Sequence, residues 1–183
     1  MAPKFQQSGS RDRKVFKRLY IQYVRPHLEY ASAVWNPWLK GDIDLIEAVQ
    51  KRAVKMMSGL EGKTYEERLE EIGLDSLETR RSKADLIQTF KIMKGIDRVD
   101  RRDIFKSYND VATTRTTRLG EYGDNLIRRK ISRSDIHNNF FCQRIINSWN
   151  QLPTRVKDSA NVEIFKNQLN EYFTRTSIGG EEK

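Results

Sequence analysis

Apolar residues recur every three or four positions through most of the chain, and this spacing restricts it to a mainly α-helical fold. Pro26 is expected to break or kink the first helix, because proline lacks the amide donor that a helix interior requires. Gly59, Gly73 and Gly95 are placed to follow the ends of later helices. We predict helices over about 12–24, 27–35, 42–58, 65–72, 76–94, 140–150 and 161–173.

One segment departs from the helical spacing. Residues 111–120 are rich in β-branched side chains and contain no acid, which favours an extended backbone, and residues 125–132 offer a second strand. The predicted fold is therefore a helical bundle-like body with a short extended or β-hairpin element around 111–131. A long loop docked on the helices agrees with the sequence equally well.

Composition divides the chain into two ends and a folded middle. Residues 1–11 and 176–183 are polar and lack apolar periodicity, so we interpret them as disordered tails. Between them, we expect a helical subdomain over 12–60 and a helical carboxy-terminal domain over 61–175.

The positive charge of the chain is concentrated in two zones. The 183 residues carry a net charge of +9, of which residues 1–30 and residues 111–160 each contribute +5. Residues 31–110 contain fifteen basic and fifteen acidic residues, a net charge of zero. Two positive zones around a neutral middle indicate a surface for a polyanion. The alternative is that short basic runs lie on solvated helix faces and bind nothing.

Aromatic residues lie among these basic residues, a combination typical of surfaces that neutralise phosphates and stack on unpaired bases. Tyr122 is equally consistent with stacking and with a place in the core, whereas Trp35, Phe140, Phe141 and Trp149 are expected in the core. The candidate nucleic-acid-binding residues are Lys14, Lys17, Arg18, Arg80, Arg81, Arg115, Arg118, Arg128, Arg129, Lys130 and Arg133.

The single cysteine restricts the compartment and the chemistry. Cys142 cannot form a disulfide within the chain, and with His27 and His137 it provides too few zinc ligands at unsuitable spacing. We expect Cys142 to be a small buried apolar residue. No stretch approaches the ~20 apolar residues that cross a bilayer, and residues 1–10 lack the apolar core of a signal peptide. These observations predict a protein of the nucleus or cytoplasm without a membrane partner.

Motifs for catalysis are missing from these residues. The sequence contains no Asp-Asp pair for two-metal phosphoryl transfer, no phosphate-binding glycine loop and no serine-hydrolase or zinc-protease motif. His27 and His137 each lie near one acid, a pattern more typical of surface ion pairs than of catalysis. We therefore expect no enzymatic activity, no cofactor, no metal and no small-molecule substrate for this chain.

Several short segments occur in a definite order along residues 14–174, and this order is informative in itself. These segments are Leu19–Tyr20, Val24–Tyr30 with Trp35, Ile46–Ala53, Tyr65–Leu69, Leu77–Arg81, Thr117–Arg118, Arg144, Trp149–Pro153 and Phe165–Lys166. In this order they resemble the region that follows the catalytic palm in jockey-like, non-LTR (LINE-type) retrotransposon reverse transcriptases. The resemblance implies a thumb-like role for residues 12–60, beside a primer–template duplex, and an RNA-contacting or DNA-contacting role for the remainder.

The chain departs from that family's pattern in two respects. The endonuclease, fingers and palm are not among these residues, so the resemblance implies a nucleic-acid surface without polymerase activity. Leu119 separates Arg118 from Gly120, where the family usually has glycine directly after the arginine. The expected partner is RNA or an RNA–DNA duplex. The alternatives are a helical protein-interaction module, with a second copy or another retroelement protein as partner, and a decaying transposon remnant without a selected function.

Overall fold

A computed structural model describes residues 12–107, 125–127 and 135–178. It confirms the predicted mainly α-helical class. The chain divides into two compact units, Met1–Arg81 and Ser82–Lys183. The predicted boundary between residues 60 and 61 falls inside the first unit. Residues 1–11 and 179–183, which include most of the two predicted tails, lie outside the described residues.

The chain enters the first unit through three consecutive helical pieces. Helix α1 (Arg13–Leu19) continues into a π-helical turn (Tyr20–Val24) and then into α2 (Arg25–Glu29). The chain therefore stays helical through Pro26 instead of breaking there, and a π-helical turn distorts the helix directly before the proline.

The chain direction changes after Glu29 instead. Tyr30 has an extended backbone, and Ala31 has a left-handed conformation with φ of +53°. Helix α3 (Ser32–Trp35) follows, so the helix predicted over 27–35 is divided into two pieces.

Three longer helices complete the first unit. They are α4 (Lys40–Lys55), α5 (Tyr65–Ile72) and the start of α6 (Leu77–Met93). A capping box begins α5: the Thr64 hydroxyl accepts from the Glu67 amide at 3.3 Å, and the Glu67 carboxylate accepts from the Thr64 amide at 2.7 Å. The buried core of the unit consists of Val54, Met57, Leu60, Leu69 and Ile72.

Among its described residues, the second unit contains the rest of α6, four further short or medium helices, a long last helix and two short strands. These are α7 (Arg101–Ile104), β1 (Lys106–Ser107), β2 (Leu126–Ile127), α8 (Asp135–Asn138), α9 (Phe141–Gln151), α10 (Thr154–Lys157) and α11 (Val162–Ile178). The strands pair antiparallel, with Lys106 opposite Ile127. Residues 126–127 are thus extended as predicted, but their partner precedes the predicted strand, and residues 111–120 lie outside the described residues.

Large aromatic side chains fill the core of the second unit. The rings of Phe90 and Phe165 stack with their centroids 4.3 Å apart, and the Trp149 ring lies 6.3 Å from Phe165. Trp149 is buried as predicted, and Phe141 is half-buried against this core.

Other core predictions are wrong. Trp35 is 39% exposed and Phe140 is 51% exposed, because each stands at the end of a helix rather than on its buried face. Cys142 packs against the core of the second unit but is only half-buried.

Two helix ends in the second unit have features of their own. Asn138 and Asn139 come shortly before the helix that begins at Phe141, yet that helix has no side-chain cap. The Asn139 amide instead donates to the Asp135 carbonyl at 2.7 Å, which ties it to the preceding turn α8. The last helix runs to Ile178, five residues beyond its predicted end at Phe173.

Candidate nucleic-acid interface

Arg80, a predicted nucleic-acid contact, is held by an ion pair. Its guanidinium donates to both carboxylate oxygens of Glu29, one of them at 3.0 Å, and the pair is partly buried. These hydrogen bonds raise the pKa of Arg80 above its ordinary value. Arg25 Nε lies 3.9 Å from the same carboxylate, and burial lowers the pKa of Arg25. Glu29 therefore balances two partly buried cations.

Arg81, the second predicted contact on α6, is buried to the extent that only 1% of its surface is exposed. Its Nε donates to Asn36 Oδ1 at 2.9 Å. A guanidinium enclosed in this way has no access to a phosphate outside the protein. The proposed nucleic-acid surface therefore excludes Arg80 and Arg81, because both serve the packing around α6.

A buried carboxylate, Glu47, holds the start of α6. Its two oxygens accept hydrogen bonds from the Leu77 amide at 3.2 and 3.0 Å, and Oε1 also accepts from the Tyr65 hydroxyl. A negative charge here complements the positive end of the helix macrodipole. This arrangement connects α4, α5 and α6 through one side chain.

Gln50, one turn along α4 from Glu47, extends this network and is fully buried. Its Oε1 accepts from the Tyr20 hydroxyl at 2.6 Å, and its Nε2 donates to the Tyr65 hydroxyl at 2.8 Å and to the Asp75 carbonyl at 3.1 Å. Burial raises the pKa of both tyrosines, which keeps them as neutral hydrogen-bond donors. Segments singled out in the sequence thus meet in a structural polar network.

The second unit contains a comparable pair. Arg144 binds Asp85 with two hydrogen bonds, Nε to Oδ2 at 2.9 Å and Nη2 to Oδ1 at 3.1 Å, and Asp85 is almost fully buried. Asn150 also binds across the unit: its side chain both donates to and accepts from the Leu126 backbone, at 2.9 and 2.8 Å. Arg144 and Asn150, which carry part of the resemblance, therefore hold the fold together.

The three predicted contacts on α1 have different environments. Lys17 is half-buried, and its ammonium donates to the Ile72 carbonyl in the last turn of α5. Lys14 and Arg18 are exposed and lie one turn apart on the same face of α1. Within the part of the chain that the structure describes, neither of them forms an ion pair, so both charges remain available.

Three more available cations lie close together near the end of α4, and the sequence analysis did not select them. Lys51, Arg52 and Lys55 are exposed and form no ion pair with any described residue, although the Lys51 ammonium lies 5.2 Å from the centre of the Tyr65 ring. The net charge of residues 31–110 gave no indication of these three cations. Acidic residues, seven of them between 61 and 78, bring the net charge of that zone to zero. Their position off the apolar stripe of α4 is the sequence pattern that could have identified them as exposed cations.

An apolar groove of about 440 Å³ lies beside these cations, in the first unit. The apolar side of α1 and of the π turn is only partly buried: Tyr20 is enclosed, but Leu19 and Tyr23 line the groove, and Tyr23 is 67% exposed. Arg52 is the charged residue in its lining. The groove is lined by Phe16, Leu19, Tyr20, Tyr23, Val24, Val49, Arg52, Ala53 and Met56.

The remaining six predicted contacts lie outside the described residues; they are Arg115, Arg118, Arg128, Arg129, Lys130 and Arg133. Tyr122 lies there as well. Among residues 12–107, 125–127 and 135–178, no three His, Cys, Asp or Glu side chains are grouped to hold a metal ion. No helix in those ranges combines the length and apolar character that crossing a bilayer requires.

Comparison of the whole chain with protein-family models, with curated proteins and with solved structures finds no match.

Proposed function

We propose that this chain is a non-catalytic nucleic-acid-binding fragment of a retrotransposon RNA-directed DNA polymerase, which contacts an RNA template or a primer–template duplex. The observation that supports the proposal is the division of the first unit's cations into two classes. One class is engaged by protein partners, as in Arg25, Arg80 and Arg81. The other class is exposed on α1 and α4 and includes Lys14, Arg18, Lys51, Arg52 and Lys55.

This division favours phosphate binding over a role in folding. An exposed cation without a carboxylate partner adds little to the stability of the fold. The same cation can strengthen binding to a nucleic acid, because neutralising a phosphate releases counterions. Three of the available cations, Lys51, Arg52 and Lys55, lie within five residues of one helix. A cluster of exposed cations can contact phosphates without any contact to bases, which favours recognition of shape and charge over sequence.

Replacement of Lys51, Arg52 and Lys55 together by glutamine is expected to weaken binding of an RNA–DNA duplex by about tenfold or more at ~0.1 M salt. Three lost phosphate contacts account for a loss of this size. Fluorescence anisotropy with a labelled duplex measures the effect, and circular dichroism verifies that the variant is folded.

A matched control removes the same charge from cations that already have carboxylate partners. Arg13 and Lys63 both pair with Glu71, and Lys166 pairs with Glu163. Their triple replacement by glutamine is expected to weaken binding less than threefold, because only long-range charge is lost. Equal losses in the two triple variants would show that net charge alone attracts the duplex, which would refute a defined interface on α4.

A further inference from the structure

The apolar groove of the first unit has features that phosphate binding does not use. Leu19 and Tyr23 on the amino-terminal side, together with Val49 and Met56 on α4, present apolar surface to solvent around the groove. Nucleic-acid backbones offer no apolar group to cover such a surface. Exposed apolar patches of this kind mark sites of macromolecular association.

The charge of the residues beside the groove and the length of its wall both restrict the ligand that can bind there. Arg52 lines it and Lys55 lies one turn further along α4, whereas no acidic side chain is among the lining residues. The wall from Phe16 to Tyr23 spans about two helical turns, which matches apolar anchors at positions i, i+4 and i+7 of a bound helix. A helix with glutamate or aspartate beside that stripe places its carboxylates next to Arg52 and Lys55.

We infer that this groove binds an acidic amphipathic helix of another polypeptide. The binding mode is a helix laid in a groove, with apolar anchors on the floor and carboxylates at the α4 rim. A second copy of this chain fits less well, because α6 and α11 already contribute apolar residues to the core of the second unit, and Val49 and Met56 of α4 line the groove itself. The partner is therefore defined as a different protein segment with negative charge.

The test uses the full chain and three 15-residue helical peptides. The first carries leucine at i, i+4 and i+7 with glutamate on its other face, the second has lysine in place of glutamate, and the third has alanine in place of leucine. The first peptide is expected to bind in an anisotropy titration, and the other two at least tenfold more weakly. Equal affinity for all three peptides, or no binding of the first, would overturn the inference.

Neutral substitutions separate this site from the nucleic-acid surface. The double variant Leu19→Gln and Val49→Gln is expected to weaken binding of the acidic peptide at least tenfold while duplex affinity stays within threefold, since no charge changes. The control Val34→Gln alters a residue that is 84% exposed on α3 and should change neither affinity. Loss of duplex binding in the double variant, or a dimer in light scattering that this variant converts to a monomer, would assign the groove to another occupant.

The two proposals fail separately. The α4 triple glutamine variant removes Arg52 and Lys55 and is expected to lose both the duplex and the acidic peptide, whereas the Leu19 and Val49 double variant loses only the peptide. If the chain binds the acidic peptide but not the duplex, the inference about the groove stands and the proposed function is refuted. If the chain binds the duplex but not the peptide, the proposed function stands and the inference about the groove is refuted.

Discussion

Replacement of Arg144 by alanine is expected to destabilise the second unit by about 3–5 kcal/mol, because it leaves the buried Asp85 carboxylate without its cation. The pair joins α6 to α9 through two hydrogen bonds at 2.9 and 3.1 Å. Hydrogen exchange measured by mass spectrometry reports the loss as faster exchange of the amides of α9 and α11.

Two further variants identify the cause of that loss. The double variant Asp85→Ala and Arg144→Ala should be less destabilised than the sum of the two single variants, because it buries no unpaired charge. Arg155 is exposed on α10, and Arg155→Ala should change stability by less than about 0.5 kcal/mol. Additive losses at Asp85 and Arg144, or an Arg144→Ala loss below ~1 kcal/mol, would contradict the structural role assigned to the pair.

Replacement of Glu47 by alanine is expected to cost the first unit about 3 kcal/mol. The change leaves the Leu77 amide and the Tyr65 hydroxyl without their acceptor in a buried site and removes the negative charge at the start of α6. Urea denaturation followed by circular dichroism measures the free energy of unfolding, and hydrogen exchange locates the loss at the first turn of α6.

Glu47→Gln tests whether geometry or charge matters more at this position. Glutamine retains one acceptor oxygen for Leu77 or Tyr65, so its loss is expected to be less than half that of alanine. Asp44→Ala, at an exposed position on the same helix, should stay within about 0.5 kcal/mol of the wild-type protein. If Glu47→Ala were as mild as Asp44→Ala, the network would contribute nothing to the start of α6.

Elements with local signals were predictable from the sequence. The capping box of Thr64 and Glu67 lies within four residues, and both hydrogen bonds are present. Gly95 lies two residues after the end of α6 at Met93 and has a left-handed φ of +66°, as expected for a glycine that follows a helix. The observed range of α6, Leu77–Met93, is close to the predicted range of 76–94. Local signals succeed because a cap or a terminal glycine acts within one turn of the backbone.

Features that depend on distant partners were not predictable. The sequence predicts Arg80 and Arg81 as nucleic-acid contacts, yet Arg80 is paired with Glu29 in a partly buried position and Arg81 is buried beside Asn36, 51 and 45 residues away in sequence. The π turn before Pro26 has no pattern of its own in the sequence. Burial of a charge is decided by tertiary contacts, and a single sequence contains no record of which carboxylate will face which guanidinium.

The candidate interface was predictable only in part. Lys14 and Arg18 were selected and are available in the structure, whereas Lys51, Arg52 and Lys55 were missed because neighbouring acids brought the zone to zero net charge. Net charge over eighty residues averages opposite faces of several helices. The exposed face of one helix is the relevant unit for a polyanion, and the structure is needed to identify it.

The salt dependence of duplex binding tests the central claim most directly, namely that buried ionic groups maintain the fold while the exposed cations of α1 and α4 bind phosphates. Five phosphate contacts predict a slope of log Kobs against log[salt] of about −4 to −5 for the wild-type chain. The Lys51, Arg52 and Lys55 triple glutamine variant should reduce that slope by about 3. A wild-type slope near zero, or an unchanged slope in the triple variant, would contradict the account.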